Sequence, residues 1–224
     1  TGAIQARPVN MPVVRWRAKI GTQGWLNNPI IVGNRVFVGS SGTHWNGEDG
    51  YERVYALSLE TGEMLWMHKS KADVNGVAYQ NGLVIATGDE GVVWALDAST
   101  GAVVWEQQLT EAYTWYDGVK GGVFTNPLIV AERVIVGDGE GKLHALDLKT
   151  GKKLWNVALM GQIRGGASFD GDRIYAASRG GEVVAVDLNG KELWRKTITS
   201  PYPQSSDRTD DYPVEIYGVP LIVR

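Results

Sequence analysis

Short apolar runs alternate with polar turns along most of the chain, and one pattern of this kind occurs four times. Its copies read YALSLETGEMLW (55–66), WALDASTGAVVW (94–105), HALDLKTGKKLW (144–155) and VAVDLNGKELW (184–194). Each copy has an alternating strand, an Asp-x-x-Thr-Gly turn and a second strand that closes on Trp. Ser58 replaces the Asp in the first copy, and Asn189-Gly190 shortens the last turn. The alternation predicts half-buried antiparallel strands joined by tight turns.

Each of these hairpins follows another hairpin, which predicts four units of four antiparallel strands. The leading hairpins occupy residues 28–40, 76–88, 126–138 and 166–178. Successive units are 39 to 50 residues apart, a spacing typical of the blades of a β-propeller. We therefore predict an all-β fold, a β-propeller of four-stranded antiparallel blades, as a single domain over residues 1–224. The predicted blades are about 26–66, 75–105, 122–155 and 164–194.

The tryptophan that closes each unit is predicted to have a structural role. Trp66, Trp105, Trp155 and Trp194 hold the same place in the repeat, and Trp16 holds it in a strand that precedes the first unit. An aromatic side chain at this place can pack on the neighbouring blade. We expect these five tryptophans, with the Asp and Thr-Gly positions, to serve docking between blades and turn formation rather than a binding site.

The repeat resembles the tryptophan-docking motif of the quinoprotein-like, or PQQ-like, propeller superfamily, where PQQ is pyrroloquinoline quinone. The resemblance covers residues 12–224 and includes four copies of the motif. It implies a propeller fold and two functional classes. The superfamily includes quinoprotein alcohol dehydrogenases and also non-enzymatic scaffolds that assist outer-membrane protein assembly. Both classes are mostly extracytoplasmic, so a periplasmic or cell-surface location is expected.

The two ends of the repeat region each resemble part of a blade. Residues 12–18 form a predicted strand around Trp16, and residues 217–223 resemble the first strand of a unit. An open propeller would expose sheet edges and an apolar blade face. We therefore expect a larger propeller, in which a second chain or a segment missing from this sequence completes the partial blade. A compact closure with a thin last blade is the alternative.

Three loops are longer than their counterparts in the other units and fall on one face of the predicted propeller. They span residues 42–53, 111–121 and 200–218. In antiparallel blades, the connection from the second to the third strand and the connection into the next blade emerge on the same side. We call this side the loop-rich face. Long loops on a rigid scaffold commonly carry binding residues.

Aromatic and polar side chains are concentrated on the loop-rich face, a combination that suits a small molecule, a glycan or a protein. The predicted ligand-binding residues are Trp25, His44, Trp45, Asn46, Tyr113, Trp115, Tyr116, Asp117 and Arg164. The alternative is that the aromatic residues form small cores beneath their own loops.

Composition narrows the functional classes. The net charge is −3 and no basic run stands out, so a nucleic-acid partner is not expected. No apolar run approaches the roughly 18 residues of a membrane-spanning helix, so no membrane span is predicted. The chain has no cysteine, which excludes disulfides, thiolate metal sites and a cysteine nucleophile.

A dehydrogenase alternative rests on the family resemblance. Residues 73–105 are similar to an N-terminal blade of quinoprotein alcohol dehydrogenases, which hold PQQ and Ca²⁺ at the mouth of the propeller channel. Those enzymes carry adjacent cysteines where this chain has Ser70-Lys71-Ala72. Glu140 is the counterpart of their calcium-binding glutamate only by its place after a strand and a Gly-rich turn. Their catalytic aspartate and the tryptophan beneath the quinone belong to later blades.

Other catalytic chemistry is not indicated. His44, His68 and His144 are far apart in sequence and lack ligand spacing, and the acidic segment 205–211 lacks an EF-hand pattern. We therefore predict no catalytic residue, no metal site and no cofactor. The leading hypothesis is a non-catalytic binding or scaffold module that uses the loop-rich face. One alternative is a fragment of a PQQ- and calcium-dependent alcohol or sugar dehydrogenase, and another is an assembly module that binds protein strands at blade edges.

Overall fold

The computed structural model describes residues 13–22, 27–42, 51–112, 121–199 and 215–222. Within these ranges the chain forms 16 strands in four antiparallel sheets and no helix. The sheets follow one another along the chain, and each sheet pairs its four strands in sequence order. The predicted all-β architecture of four-stranded blades is therefore confirmed.

The first strand is shorter than the fourth in blades 1, 3 and 4, whereas in blade 2 the first strand has seven residues and the fourth has six. The strands are β1 Ile30–Val32, β2 Arg35–Ser41, β3 Glu52–Ser58 and β4 Met64–Lys69 in blade 1; β5 Val74–Gln80, β6 Leu83–Gly88, β7 Val92–Asp97 and β8 Val103–Gln108 in blade 2; β9 Leu128–Val130, β10 Arg133–Gly137, β11 Lys142–Asp147 and β12 Lys153–Ala158 in blade 3; and β13 Ser168–Phe169, β14 Ile174–Ala177, β15 Glu182–Val186 and β16 Glu192–Thr197 in blade 4. The fourth strands thus continue beyond the closing tryptophans, where the sequence-based boundaries had stopped.

The repeated Asp stabilises the turn between the third and fourth strands of a blade. Oδ1 of Asp97 accepts hydrogen bonds from the backbone N–H groups of the second and third residues that follow, at 3.0 and 2.9 Å. Gly101 completes the turn with a φ of 76°, a conformation that glycine adopts without steric strain. In blade 1, the Ser58 hydroxyl accepts the equivalent bond from the N–H of Thr61 at 3.2 Å. Serine can therefore replace the Asp because the turn needs one side-chain acceptor.

Each closing tryptophan that is followed by another blade lies on the turn glycine of that blade. Trp105 donates from Nε1 to the carbonyl of Leu148 at 2.9 Å, and a Cβ on Gly151 would lie 2.5 Å from its ring. The same contact joins Trp16 to Gly62, Trp66 to Gly101 and Trp155 to Gly190. Trp194 differs, since 42% of its surface is exposed and the described chain contains no further sheet to cover it.

The hydrophobic core lies between neighbouring sheets. One cluster joins Phe37 and Trp66 of blade 1 to Val77 and Trp94 of blade 2. Equivalent clusters join blade 2 to blade 3 and blade 3 to blade 4. Blades 2 and 3 are therefore each packed between two sheets, whereas blades 1 and 4 each pack against one sheet of the described chain.

The segments at the two ends of the described chain do not join a sheet. Residues 13–22 lie against blade 1, where Trp16 and Ile20 pack against Val36 and Tyr55. Residues 215–222 pass blade 4, where Val219 lies beside Gly166. The described parts of the strands predicted at 12–18 and 217–223 are not paired in a sheet, and the partial blade stays a prediction.

Contacts across each blade bring two sets of loops together on the loop-rich face. The connection into blade 3 touches the β10–β11 turn, where the Thr110 hydroxyl donates to Glu140 at 2.8 Å. The connection into blade 4 touches the β14–β15 turn, where the Ser178 hydroxyl donates to the carbonyl of Met160 at 2.6 Å. Residues far apart in sequence can therefore meet on this face.

Candidate functional site on the loop-rich face

Arg164 is the one predicted ligand-binding residue within the described ranges. The remaining eight lie outside them, so their clustering stays a prediction: Trp25, His44, Trp45, Asn46, Tyr113, Trp115, Tyr116 and Asp117. Arg164 belongs to the connection between β12 and β13, which leads into blade 4 on the loop-rich face.

An aromatic ring supports the Arg164 side chain. Its guanidinium carbon lies 4.3 Å from the centroid of the Phe124 ring, and its Nε donates to Oε1 of Gln162 at 2.9 Å. Phe124 and Gln162 are buried, whereas Arg164 is half-buried. The stacking and the hydrogen bond hold the guanidinium in one orientation and leave part of it accessible to a partner.

A second arginine repeats this arrangement beside the first. Arg179, in the β14–β15 turn, donates from Nη1 to the same oxygen of Gln162 at 3.1 Å, and its guanidinium carbon lies 5.2 Å from the centroid of the Tyr217 ring. Its Nη2 pairs with Glu215 at 2.9 Å. Hydrogen bonds from Tyr217 and Arg179 lower the pKa of the Glu215 carboxyl, which keeps this group ionised in neutral solution.

An acidic group from blade 2 also acts on Arg164. Oδ1 of Asp89, in the β6–β7 turn, accepts a hydrogen bond from the Asn75 amide at 2.6 Å, and the same amide donates to the carbonyl of Val123 at 3.1 Å. Burial raises the pKa of the Asp89 carboxyl to about 6, against the lowering effects of the Asn75 hydrogen bond and of attraction to Arg164. Arg164 also attracts Glu215, so its charge interacts with carboxylates from two separate parts of the chain.

These residues form one connected group, which we call the arginine network. Its members are Asn75, Asp89, Phe124, Gln162, Arg164, Arg179, Glu215 and Tyr217. Sequence reasoning found only Arg164 among them. One signal was available, because Asp89, Gly139 and Arg179 hold the same place in the second-to-third-strand turns of blades 2, 3 and 4. Opposite charges at equivalent places of a repeat suggest a role beyond packing.

A second polar pair lies inside blade 3 and has a packing role. Nε2 of His144 lies 2.7 Å from Oδ2 of Asp138, and both residues are buried. In blade 2 the same two places hold Trp94 and Gly88, and a Cβ on Gly88 would lie 3.2 Å from the Trp94 ring. The histidine–aspartate pair thus fills the space that a larger ring occupies in the neighbouring blade.

Comparison with known proteins identifies the family. The profile described as outer membrane protein assembly factor BamB matches residues 13–167 and 149–207, which is more than half of the chain. The chain belongs to the BamB family. BamB from Burkholderia pseudomallei (strain K96243) is 27% identical over 218 residues, or 93% of this chain and 51% of that protein. The crystal structure of BamB from Moraxella catarrhalis superposes with a TM-score of 0.55 at 25% identity, covering 73% of this chain and 46% of that one.

A dehydrogenase is also among the relatives. The lanthanide-dependent methanol dehydrogenase of Methylacidiphilum fumariolicum (strain SolV) is 28% identical over 166 residues, which are 68% of this chain and 26% of that protein. The chain therefore spans about half, or less, of the length of these relatives. Membership of the PQQ-like propeller superfamily, predicted from the repeat, is confirmed.

The residues at the positions that correspond to the quinone and calcium sites of the dehydrogenases do not fit PQQ or Ca²⁺. Oε2 of Glu140 lies 2.7 Å from the Lys142 ammonium, and its Oε1 accepts the Thr110 hydroxyl. The ammonium would oppose a cation bound at the same carboxylate. Where dehydrogenases carry adjacent cysteines, the Ser70 hydroxyl lies 2.6 Å from the carbonyl of Ala72. No chemical step through PQQ or Ca²⁺ follows from these residues.

Two further structural tests apply to the described ranges. Within them, no cluster of three or more His, Asp or Glu side chains is arranged to hold a metal ion. No helix in the same part of the chain is long and apolar enough to cross a membrane.

Proposed function

We propose that this chain is a non-catalytic scaffold in outer-membrane protein assembly, and that it docks a partner protein on its loop-rich face. Membership of the BamB family supports the assembly role. The paired stacks of Arg164 on Phe124 and of Arg179 on Tyr217 carry the docking part of the proposal.

Two oriented arginines suit an acidic protein surface. Arginine is enriched among the residues that contribute most to protein interfaces, because its planar guanidinium pairs with carboxylates and stacks on rings. Gln162 holds both guanidinium groups through one oxygen, so little side-chain freedom remains to be lost on binding. The partner surface that fits this site carries carboxylates placed to meet both arginines.

The predicted aromatic loops would surround this site. Trp25, Trp45 and Trp115 are predicted to belong to loops on the same face, where they would add apolar area that a small carboxylate ligand would not need. At the end of the first long loop, the guanidinium carbon of Arg53 lies 5.1 Å from the centroid of the Tyr51 ring. A broad surface of aromatic residues and arginines favours a protein over a small molecule as the partner.

The test is loss of partner capture by the full-length protein when both arginines are replaced. Arg164→Ala combined with Arg179→Ala should reduce co-purification of the outer-membrane assembly complex of the same host by tenfold or more, since two interface arginines are removed. Arg35→Ala is the matched control, because Arg35 is exposed in the β1–β2 hairpin on the opposite face. Unchanged capture by a folded double variant would refute docking at this site. Quinone-dependent dye reduction by the protein supplied with PQQ and Ca²⁺ would refute the non-catalytic assignment.

A further blade next to blade 4 is part of the proposal. Trp194 exposes the surface that the next blade covers at Trp66 and Trp105, and Val219 meets Gly166 at the place where Asn126 meets Gly76 between blades 2 and 3. These contacts support a new first strand at residues 217–222, completed by additional chain or by a second polypeptide. Native mass spectrometry of protein purified from its host tests this idea. A mass of 24.4 kDa without any bound polypeptide would count against it.

We also propose that the protein acts on the periplasmic side of the outer membrane, in keeping with the assembly role. Fractionation of host cells, with a periplasmic marker as reference, checks the location. Recovery with cytoplasmic markers would contradict this placement.

A further inference from the structure

Asp89 is a partly buried carboxyl group at the junction of blades 2 and 3. The Asn75 amide connects Oδ1 of Asp89 to the carbonyl of Val123, and the N–H of Val123 donates to the carbonyl of Gly88 at 3.0 Å. The next residue after Val123 is Phe124, whose ring supports Arg164. A change at Asp89 therefore acts on the segment that positions Arg164.

The charged groups around Asp89 influence the pKa of its carboxyl and are in turn affected when it is protonated. Asp73, Glu90 and Glu111 are acidic residues on the segments in contact with the β6–β7 turn. Lys71 is a basic residue on one of these segments, and the attraction of Arg164 acts on Asp89. Arg164 also attracts Glu215. The pKa of Asp89 is raised to about 6 mainly by burial, while that of Glu215 is lowered by hydrogen bonds. The carboxyl groups of Asp89 and Glu215 therefore titrate in different ranges of pH.

We propose that Asp89 acts as a proton-controlled counter-charge to Arg164, so that the loop-rich face binds an acidic partner more tightly in mildly acidic than in neutral solution. When Asp89 takes up a proton from solvent, Arg164 loses the attraction of that carboxylate and keeps the attraction of Glu215. The network gains one unit of positive charge at the place where the partner's carboxylates would bind. This regulation rests on the proposed docking function of the same face.

The proton link can be tested without a partner. In the full-length protein labelled with ¹³C at Asp carboxyls and ¹⁵N at Arg side chains, the Asp89 carboxyl should titrate with a midpoint at about pH 6. The Nε–H signal of Arg164 should shift with the same midpoint. Asp89→Asn should abolish this inflection of the Arg164 signal. Asp97→Asn should retain it, since Asp97 lies in a turn on the opposite face and has a pKa of about 2. An Arg164 signal that ignores the titration of Asp89 would overturn the inference.

Binding provides the second arm of the test. A poly-glutamate peptide is the probe, and the Asp89→Asn variant reports how protonation of the peptide's own carboxyls changes the affinity. Relative to this variant, the wild-type protein should bind the peptide about fivefold more tightly at about pH 5.5 than at about pH 7.5, because one surface charge pair is worth up to about 1 kcal/mol. Equal pH dependence in both proteins would contradict the role of Asp89. Failure of the proposed docking function would give a different result. The double arginine variant would then capture the partner as well as wild type does, while the Asp89 carboxyl and the Arg164 signal of the wild-type protein would still titrate together.

Discussion

Replacing the docking tryptophans one at a time should reveal how much stability comes from contacts between blades. Trp105 is 8% exposed, packs on Gly151 and donates its indole N–H to Leu148. Trp105→Ala should therefore lower the free energy of unfolding by about 3–5 kcal/mol, the usual range for a buried aromatic residue. Trp105→Phe keeps a ring but leaves the Leu148 carbonyl without its donor, and it should lower the free energy by about 1–2 kcal/mol.

Trp194→Ala in the 224-residue chain is the matched control, because the same residue type holds the same repeat place and the described chain contains no sheet that covers it. Trp194 is 42% exposed against 8% for Trp105, so the difference is about a third of a tryptophan surface, or roughly 70 Å². At about 25 cal/mol per Å², this area corresponds to about 2 kcal/mol. The missing indole hydrogen bond adds about 1 kcal/mol. Trp194→Ala should thus be milder than Trp105→Ala by about 2–3 kcal/mol.

Urea unfolding followed by circular dichroism provides the measurement, with hydrogen exchange to detect blades that unfold separately. Repeat proteins can depart from two-state unfolding, so the comparison requires equal m-values for the two variants. If the two alanine variants differ by less than about 1 kcal/mol, the docking contact between blades is not the source of the stabilisation, contrary to the reasoning from burial.

Three further predictions concern single positions. Gly151→Ala should lower the free energy of unfolding by about 2 kcal/mol or more, because φ is 70° and the added Cβ would meet the Trp105 ring. Gly33→Ala is its control, since φ is 57° and nothing lies within 4 Å of the added Cβ. This variant should lower the free energy of unfolding by only about 1 kcal/mol in the same urea assay. Asp89→Asn should raise the free energy of unfolding at pH 7 by up to roughly 3 kcal/mol, since the folded-state pKa of Asp89, about 6, exceeds the ordinary 3.8. The stability due to this group is present below pH 3.8 and is lost as the pH rises through 6. Unfolding curves measured across this range should therefore show a weaker decline of stability with pH for the variant. Asp138→Ala should lower the melting temperature with a loss of about 1–3 kcal/mol, because it removes the hydrogen-bond partner of the buried His144 ring. A variant as stable as wild type would contradict this role.

Local sequence was sufficient to predict the blades because each repeat encodes its own turn chemistry. Asp97 and Gly101 show why: one supplies the side-chain acceptor and the other the positive φ within a single hairpin. The hairpin between β9 and β10 was predicted from its position in the repeat and not from its turn residues. Ala131 and Glu132 both have positive φ there, at 47° and 58°, although neither residue type favours that conformation. The surrounding blade imposes this turn.

The candidate site was less predictable, because it depends on contacts between distant segments. Asn75, Asp89, Arg164 and Glu215 come from parts of the chain that meet only when successive blades close around one face. Arg164 could be predicted since it lies in a connection whose side of the propeller follows from antiparallel pairing. Its ring and its glutamine acceptor could not be predicted, because the sequence does not fix the path of a loop between blades.

A comparison of the residues at equivalent positions of different blades distinguishes residues that serve packing from residues that serve function. Where blades 2 and 3 differ inside the sheet, both partners change together: Gly88 with Trp94 becomes Asp138 with His144, and the space stays filled. The turn place that holds Asp89 in blade 2 holds Arg179 in blade 4, and neither residue fills an apolar space. The partial burial of Asp89 opposes its ionisation and therefore weakens the fold at neutral pH. A repeat selected for packing alone would not need a destabilising carboxylate here, whereas a face that controls the charge around Arg164 would.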